Sequence, residues 1–213
     1  SLGLSYGSTN GNGVVGIGWG MGVPVISRQT DRGLPRYLDR ATWHPEEDRF
    51  IYNGGQELVP VDNATMATVD ASGRGYEVSV PAEMAEWQQY RARIEGGFMR
   101  FFRSPDGDRW VVQGQDGTRF DFGLLPLGQG PNDLNQQRSL QTESGDGQGP
   151  VFSWMLTRMS DPHGSTVYYE YEVDQGAHYV KNIYYLSPNS CAADGDAVAQ
   201  RECAEPLSNY GGR

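Results

Sequence analysis

The chain contains one literal match to the GxGxxG pattern of dinucleotide-binding proteins, at residues 11–16. In those proteins a helix opens at the third glycine, and its N-terminus meets the pyrophosphate of the cofactor. Here Gly18, Gly20 and Gly22 follow, and Pro24 comes two positions later. Because each glycine costs about 1 kcal/mol relative to alanine inside a helix, this run does not predict a helix. We therefore expect no cofactor site at these glycines.

A second candidate is the tripeptide Gln141-Thr142-Glu143, which resembles the catalytic Gln/Glu-x-Glu turn of ADP-ribosyltransferases. It lies in a stretch without strand or helix periodicity, and no Ser-Thr-Ser strand precedes it. A three-residue match outside its structural context carries little weight. The sequence favours a solvated loop at this position.

Two histidines stand beside carboxylates and are candidate metal ligands: His44 with residues 46–48, and His163 with Asp161. Zinc sites need several ligands at defined spacing, and neither histidine has a second histidine at such a spacing. Surface turns are the favoured interpretation, and we expect no resident metal. The turn at residues 106–108 is too short for an EF-hand loop, although weak Ca²⁺ binding at this acidic turn is left open.

The tryptophans raise a carbohydrate-binding alternative. They are Trp19, Trp43, Trp87, Trp110 and Trp154. Hydrolysis would also need two carboxyl groups about 5 to 10 Å apart across a cleft, a pairing that the sequence does not define. Tryptophans on strands are more often core residues than sugar platforms. An extracellular carbohydrate- or surface-binding β module is therefore the second hypothesis, and glycoside hydrolysis is the third.

The 213-residue chain is acidic, with a formal net charge of −10 and a pI of about 4.7, which argues against a nucleic-acid-binding surface. No apolar run approaches the roughly 18 residues of a membrane-spanning helix, so no membrane span is predicted. The first six residues resemble the middle of a strand, and no signal peptide is visible. We interpret the chain as a fragment of a longer, secreted protein.

Short alternating segments recur along the chain, separated by Asn-Gly, Gly-Gly or Asp-Gly turns. This spacing predicts an all-β, antiparallel multi-stranded sheet or meander with little helix. The predicted strands cover residues 49–52, 57–61, 76–80, 90–95, 98–103, 109–112, 118–123, 152–156, 166–173 and 179–186. Residues 81–88, with Pro81 suited to a first turn, are the best helical candidate, of about two turns.

Alternation also assigns the faces of several strands. Ile26 and Arg28 share one face of the segment that follows the glycine run. The uncharged faces of two later strands consist of Tyr90, Ala92 and Ile94 and of Phe152, Trp154 and Leu156. Such faces suit a sheet with one packed and one wet surface.

We expect a single β domain over residues 1–213. Residues 124–150 lack periodicity and are interpreted as a loop excursion across a surface. Residues 187–213 form a polar tail that contains Cys191 and Cys203. A disulfide between these cysteines would contribute on the order of 3 kcal/mol and would fit an oxidising compartment, and two free thiols are the alternative.

The glycine-rich run surrounds one large side chain, Trp19. Glycine allows backbones to approach closely. We therefore expect Gly11, Gly13, Gly16 and Gly18 to pack the first strands around a buried Trp19. The predicted role of these residues is architectural.

The run SYGSTNGNGVVGIGWGMGVPVISRQTDRGLPRY, at residues 5–37, resembles the start of the SpvB/TcaC amino-terminal domain. Further blocks agree in order. They lie at residues 55–61, 90–95, 116–123, 152–154 and 161–171. The last block opens on Asp161-Pro162-His163-Gly164, and Ser165 stands where the family tends to carry Asn. The resemblance extends over residues 2–186 as an ordered series of blocks.

That domain is found in bacterial virulence proteins and in the B components of insecticidal Tc toxin complexes. The resemblance implies a non-catalytic part of a β-strand shell, completed by Rhs-type YD repeats, that encapsulates or delivers a toxic payload. Asp161-x-x-Gly164, with Tyr169 and Tyr171 behind it, is similar to half of such a repeat. The implied partners are the rest of the same toxin chain, a YD-repeat shell partner and toxin-complex subunits, without a cofactor.

Overall fold

A computed structural model describes residues 5–7, 12–13, 16–17, 19–31, 33–40, 44–61, 67–69, 75–77, 81–125, 138–144, 149–186 and 205–206. The first strands are β1 (Ser5–Tyr6), β2 (Asn12–Gly13), β3 (Gly16–Ile17), β4 (Trp19–Gly20), β5 (Val25–Arg28), β6 (Phe50–Tyr52), β7 (Gln56–Pro60), β8 (Ala67–Val69) and β9 (Gly75–Glu77). The later strands are β10 (Gln88–Ala92), β11 (Arg100–Arg103), β12 (Arg109–Gln113), β13 (Arg119–Gly123), β14 (Leu140–Thr142), β15 (Val151–Ser160), β16 (Thr166–Asp174), β17 (Ala177–Leu186) and β18 (Glu205–Pro206). A short 3₁₀ helix spans Ala82–Met84. Within the described ranges, no helix has the length and apolar character needed to cross a membrane.

Eight of the described strands close into an antiparallel barrel. Their order is β5, β6, β7, β10, β11, β12, β13 and β15, and β15 pairs back to β5. Closure depends on the long strand β15, whose first half pairs with β5 and whose second half pairs with β13. The all-β antiparallel prediction is confirmed, and the closure into a barrel is an addition that strand spacing did not predict.

The connections between the barrel strands fall at two ends, because neighbouring strands run in opposite directions. Tight turns lie at one end, at residues 53–55, 93–99, 114–118 and 161–165. The long connections 29–49, 61–87 and 124–150 lie at the other end, together with the short turn 104–108. The predicted hairpin turn at residues 53–55 is confirmed, with φ of 50° at Asn53 and 73° at Gly54, which these residue types tolerate.

The barrel interior is filled with side chains, many of them aromatic. Phe50, Tyr90, Trp110 and Trp154 are buried, and their contacting rings have centroids 5.0 to 5.9 Å apart. The rest of this core includes Ile26, Leu58, Phe101, Val112, Phe122 and Leu156. An eight-stranded barrel is just wide enough for side chains to fill it, so this barrel is a packed core and not a channel.

Among the described strands, four extend the twelve-stranded sheet beyond the barrel: β14 and β16 pair with β15, β17 pairs with β16, and β18 pairs with β17. β16 pairs with β17 along its whole length, from Thr166 opposite Leu186 to Asp174 opposite Ala177. Tyr171 on β16 is buried, and its hydroxyl donates a hydrogen bond of 2.7 Å to the carbonyl oxygen of Leu156. This bond ties the β16–β17 hairpin, whose two strands were predicted without their pairing, to the wall of the barrel.

The predicted two-turn helix at residues 81–88 is wrong. The structure has a 3₁₀ helix of three residues, and Gln88 already belongs to β10. Met84 packs with Phe102 and Val111 outside the barrel core, and Trp87 lies partly buried against them. These tertiary contacts outweigh a weak local preference for helix.

Two predicted face assignments are also wrong. Ile94 is 84% exposed, because β10 ends at Ala92 and residue 94 lies in the following turn. Phe152 is only half-buried, whereas Trp154 lies in the core. On β14, Gln141 and Thr142 face Ser153 and Val151, so Phe152 is the extra residue of a β-bulge. A bulge interrupts the strict alternation on which the assignment depended.

The stretch 124–150 contains structure that its sequence pattern did not indicate. Strand β14 lies within it and pairs with β15, and Leu125 and Leu140 are buried. Residues 126–137 and 145–148, which make up much of the predicted excursion, lie outside the described residues.

The glycine-rich run forms β-structure outside the barrel. β1 pairs with β4, so that Tyr6 and Trp19 meet edge to face at 5.4 Å, and β2 pairs with β3. Trp19 is 43% exposed, so its predicted burial is wrong. These strands are two residues long and do not join the twelve-stranded sheet. One side of the Trp19 ring is therefore left exposed. Gly11, Gly18, Trp43, Cys191 and Cys203 lie outside the described residues.

Candidate functional site: the plugged end of the barrel

Two arginines lie on the core face of barrel strands, both at the end with the long connections. Arg28 is the last residue of β5 and is 1% exposed, and Arg103 is the last residue of β11 and is 2% exposed. Alternation places them on the inward faces of their strands, beside Ile26 and Phe101. Because an unpaired buried charge is costly, both guanidinium groups need carboxylates from elsewhere in the chain.

The described residues of the connection from β5 to β6, 29–31, 33–40 and 44–49, are called the plug below, and they supply these carboxylates. Arg28 donates from Nη1 to Asp48 Oδ2 and to Asp39 Oδ1, both at 2.9 Å, and from Nη2 to Asp39 Oδ2. Its Nε donates to the carbonyl oxygen of Val151 on β15, at 2.7 Å. One guanidinium group therefore binds the plug and the barrel wall at once.

Aromatic rings surround the same guanidinium group. Its Cζ lies 4.9 Å from the ring centroid of Tyr37, 5.4 Å from that of Phe50 and 5.5 Å from that of Trp154. Such cation–π contacts favour a cation that has left water. The backbone N–H groups of Arg36 and Tyr37 donate to the carboxylate of Asp48, at 2.8 and 2.9 Å. The plug therefore hydrogen-bonds one of the carboxylates that it presents to Arg28.

Arg103 makes a second link between barrel and plug. Its Nη2 lies 3.1 Å from Asp39 Oδ1. Gly107 has a φ of +80°, and a Cβ there would lie 2.8 Å from the same Nη2. The carbonyl oxygen of Gly107 accepts a hydrogen bond of 2.8 Å from Nε1 of Trp154. The lack of a side chain at position 107 therefore leaves room for the guanidinium group while the turn stays bound to the core.

Burial raises the pKa of two carboxyl groups at this end. Glu47 in the plug is 7% exposed, and burial raises its pKa, while Arg103 acts in the opposite sense. Burial also raises the pKa of Asp108, and the neighbouring Asp106 adds to this effect. Among the residues that the structure describes, no group of three or more His, Cys, Asp or Glu could hold a metal ion. The arrangement closes the barrel end with charges and is suited to a structural role.

Of the residues singled out from sequence, Asp161 and His163 lie apart from this cluster, whereas residues 44 and 46–48 belong to the plug, where the backbone N–H of Glu47 donates to the carbonyl oxygen of His44 at 2.9 Å. Asp161 Oδ1 accepts backbone hydrogen bonds from His163 and Ser165, both at 2.9 Å, and so shapes its own turn. His44 Nδ1 lies 3.8 Å from Glu46 Oε2, and both side chains are largely exposed.

Of three further candidates, Trp154 contacts the Arg28 guanidinium, Gln141 lies on the strand that pairs with that of Trp154, and Gly164 lies in a separate turn. Trp154 lies in the barrel core, near the opposite end of β15 from the Asp161 turn. Gln141 lies on β14, where its Nε2 donates to the carbonyl oxygen of Gly176 at 3.1 Å, and Glu143 is exposed. Gly164 has a φ of +90°, which favours glycine at that position of the turn. The architectural roles assigned to Trp154, Asp161 and Gly164 stay predictions, and the solvated loop predicted at residues 141–143 is wrong at Gln141 and Thr142, which lie on β14.

A groove of about 450 Å³ lies between the glycine-rich segment and strands β15 to β17. Its apolar lining includes Trp19, Met21, Phe152, Met155 and Tyr171, and its polar lining includes Ser27, Gln141 and His178. Nδ1 of His178 lies 2.6 Å from the carbonyl oxygen of Arg138. Burial lowers the pKa of His178, and the hydrogen bond to the Arg138 carbonyl acts in the opposite sense.

Sequence reasoning missed the plugged end, although one signal for it was present. Alternation had placed Arg28 on the same face as the apolar Ile26, and Arg103 follows Phe101 at the same spacing. A charged residue on a core face calls for a buried partner. What no local pattern indicates is that the ends of β5 and β11 face one another across the same barrel.

Comparisons with known proteins agree with the resemblance. The family model described as Salmonella virulence plasmid 65kDa B protein, SpvB, matches residues 1–202. The mono(ADP-ribosyl)transferase SpvB of Salmonella typhimurium is 28% identical over 185 residues, which are 83% of this chain and 27% of that protein. The enzyme of the same name from Salmonella dublin gives the same figures. The chain thus spans little more than a quarter of these curated relatives.

Three solved structures share the fold. The N-terminal domain of effector protein SpvB from Salmonella typhimurium strain LT2 has a TM-score of 0.60 and 20% identity, over 97% of this chain and 65% of that chain. TcdB2-TccC3 without its hypervariable C-terminal region has a TM-score of 0.58 and 20% identity, over 93% and 9% of the two chains. The Photorhabdus luminescens Tc holotoxin pore has a TM-score of 0.56 and 22% identity, over 92% and 9%. Because the family model covers nearly all of the sequence, the chain belongs to the SpvB family.

Proposed function

We propose that this chain is a non-catalytic structural segment of a secreted bacterial toxin or Rhs-type protein. In this role it contributes a rigid wall element to a β-strand shell that encapsulates or delivers a toxic payload. Membership of the SpvB family and a fold shared with parts of Tc toxin structures support a toxin-associated structural domain. The partners in this proposal are the rest of the same chain, a YD-repeat shell partner and toxin-complex subunits.

The filled barrel is the observation that carries this proposal. Aromatic rings occupy its interior, and the plug is ion-paired to Arg28 at the end with the long connections. A barrel packed in this way is rigid, because close-packed cores tolerate little rearrangement. The payload would therefore lie outside this barrel, in a space that the shell as a whole encloses.

Protease protection in the full-length protein tests the structural role. Trp110→Ala opens the barrel core and should increase the cleavage of whatever the shell encloses. Ile94→Ser changes an exposed turn residue and should leave protection unchanged, which makes it the matched control. Equal protection in a folded Trp110→Ala protein and in the wild type would overturn the encapsulating role.

An NAD-consumption assay on this chain tests the non-catalytic part of the proposal. The curated relatives are named mono(ADP-ribosyl)transferases, and this chain spans 27% of their length. We expect no NAD turnover above a buffer blank, because Gln141 is bound to Gly176 within the sheet and Glu143 is exposed to solvent. Turnover that disappears in Glu143→Gln would show that the chain is an enzyme.

The groove beside Trp19 favours a second candidate function, an extracellular carbohydrate- or surface-binding module. An exposed indole beside polar side chains is a common sugar platform. This function predicts saturable binding on a glycan array that Trp19→Ala abolishes and Trp87→Ala, at a separate site, does not. The structural role predicts no saturable binding by any of the three proteins.

A further inference from the structure

Glu47 is a buried carboxyl group without a hydrogen-bond partner among the described residues. Its side chain belongs to the plug, it is 7% exposed, and both of its oxygens are unpaired within that part of the chain. Buried polar groups in folded proteins are nearly always hydrogen-bonded, so such a group calls for an explanation.

Charged and titratable groups face Glu47 from two barrel strands and from the plug itself. They are Arg103 on β11, Tyr90 on β10, and Asp39 and Arg40 in the plug. Arg103 is already paired with Asp39, at 3.1 Å, and the carboxylate of Asp39 repels an ionised Glu47. Nε of Arg103 and the hydroxyl of Tyr90 also make no hydrogen bond within the described chain.

Both buried barrel arginines at this end are bound to plug carboxylates other than Glu47, and the plug's own Arg40 acts on Glu47 only as a smaller charge effect. Three plug carboxyls, those of Asp39, Asp48 and Glu47, face two barrel arginines, Arg28 and Arg103. Arg28 binds Asp39 and Asp48, and Arg103 binds Asp39. Of these three carboxyls, Glu47 is the one that forms no ion pair with either of these two arginines. A neutral carboxyl is buried at far lower cost than a carboxylate.

We propose that Glu47 is a proton-controlled latch: the plug seats firmly on the barrel end when Glu47 is neutral and loosens when Glu47 is ionised. The sign follows from linkage. Burial raises the pKa of Glu47 above its ordinary 4.5, so its stabilising effect is present at low pH and is lost as the pH rises through the folded-state pKa. Burial acts in the same direction on Asp108, so a test must isolate Glu47.

Hydrogen exchange of peptides that cover the plug tests the latch between pH 5 and pH 8. The β16–β17 hairpin in the same digest corrects for the intrinsic effect of pH on exchange. In the wild type the opening constant of the plug should rise with pH, by at most about tenfold per pH unit, the limit for one linked proton. In Glu47→Gln it should stay at its low-pH value throughout.

Glu46→Gln is the matched control, because it removes the same charge from the adjacent residue, whose side chain is 63% exposed. It should behave as the wild type does. A flat wild-type profile, or the same slope in Glu47→Gln as in the wild type, would overturn the proposal. If Glu47→Gln does not fold, carbon-13 NMR of the wild-type Glu47 carboxyl replaces it. Titration in step with plug exchange supports the latch, and titration at a different pH overturns it.

Discussion

At the scale of single residues, Arg28 shows why the barrel end needs arginine and not another cation. Its three nitrogen atoms donate to two plug carboxylates and to a strand carbonyl, while its flat face lies against three rings. A lysine has a single ammonium group and cannot make this planar fork. The residue type therefore follows from the number and directions of its partners.

Arg28→Ala should lower the free energy of unfolding by about 3 to 5 kcal/mol, the usual loss when one partner of a buried ion pair is removed. Asp48, whose side chain is nearly buried, would lose its cation. Arg28→Lys should lose less, because it keeps the charge. Urea denaturation measures the difference, and Arg36→Ala serves as the control, since Arg36 contacts Asp48 through its backbone. A loss no larger than that of the control would contradict this account.

At the scale of elements, one carboxylate links three neighbouring strands on the outside of the barrel. Glu57 on β7 accepts hydrogen bonds from Arg49, just before β6, at 2.6 Å, and from Arg93, just after β10, at 2.8 Å. The hydrogen bond from Arg93 lowers the pKa of Glu57 most, burial opposes it, and Arg49 lowers the pKa further, so the net shift is downward. The pKa of Glu57 is thus shifted downward, whereas the pKa of Glu47 is shifted upward.

Glu57→Gln should lower the free energy of unfolding at pH 7 by less than about 1 kcal/mol, because both arginines are largely exposed to solvent. A lowered folded-state pKa contributes stability above the ordinary glutamate value and loses it as the pH falls through the folded-state pKa. The difference between Glu57→Gln and wild type should therefore disappear in acid. Denaturation at pH 7 and below pH 4.5 measures it, with Glu95→Gln as the exposed control. A difference that grows in acid would refute the assigned sign.

The elements that sequence predicted correctly are those fixed by local turn chemistry. The hairpin at residues 53–55 and the turn at Asp161 follow from Asn, Gly and Asp at positions that need them. The 81–88 segment and β14 were not predicted, because their structure depends on distant partners: Met84 packs on Phe102, and β14 pairs with β15. The bulge at Phe152 was not predicted for the same reason, because it exists only in the pairing of β15 with β14.

At the scale of the whole molecule, the barrel closes through contacts that no local pattern contains. Arg28 and Val151 are 123 positions apart and share a buried hydrogen bond. The family resemblance correctly indicated an all-β toxin-associated domain, yet the closed barrel and its charged plug came from the three-dimensional arrangement. The centre of the fold is therefore the cluster around Phe50, Trp110 and Trp154, and not the glycine-rich run.

Because the core lies at this aromatic cluster and not at the glycine-rich run, Trp154 and Trp19 should contribute differently to the free energy of unfolding. Trp154 is fully buried, contacts Phe50 and Trp110, and donates to Gly107, so Trp154→Ala should cost about 3 to 5 kcal/mol. Trp19 is half-exposed in a separate pair of strands, so Trp19→Ala should cost only about 1 kcal/mol. Urea denaturation followed by tryptophan fluorescence and by circular dichroism measures both. If Trp19→Ala proves as costly as Trp154→Ala, the glycine-rich run is part of the cooperative core after all, because a change outside the barrel would then be unfolding the barrel itself.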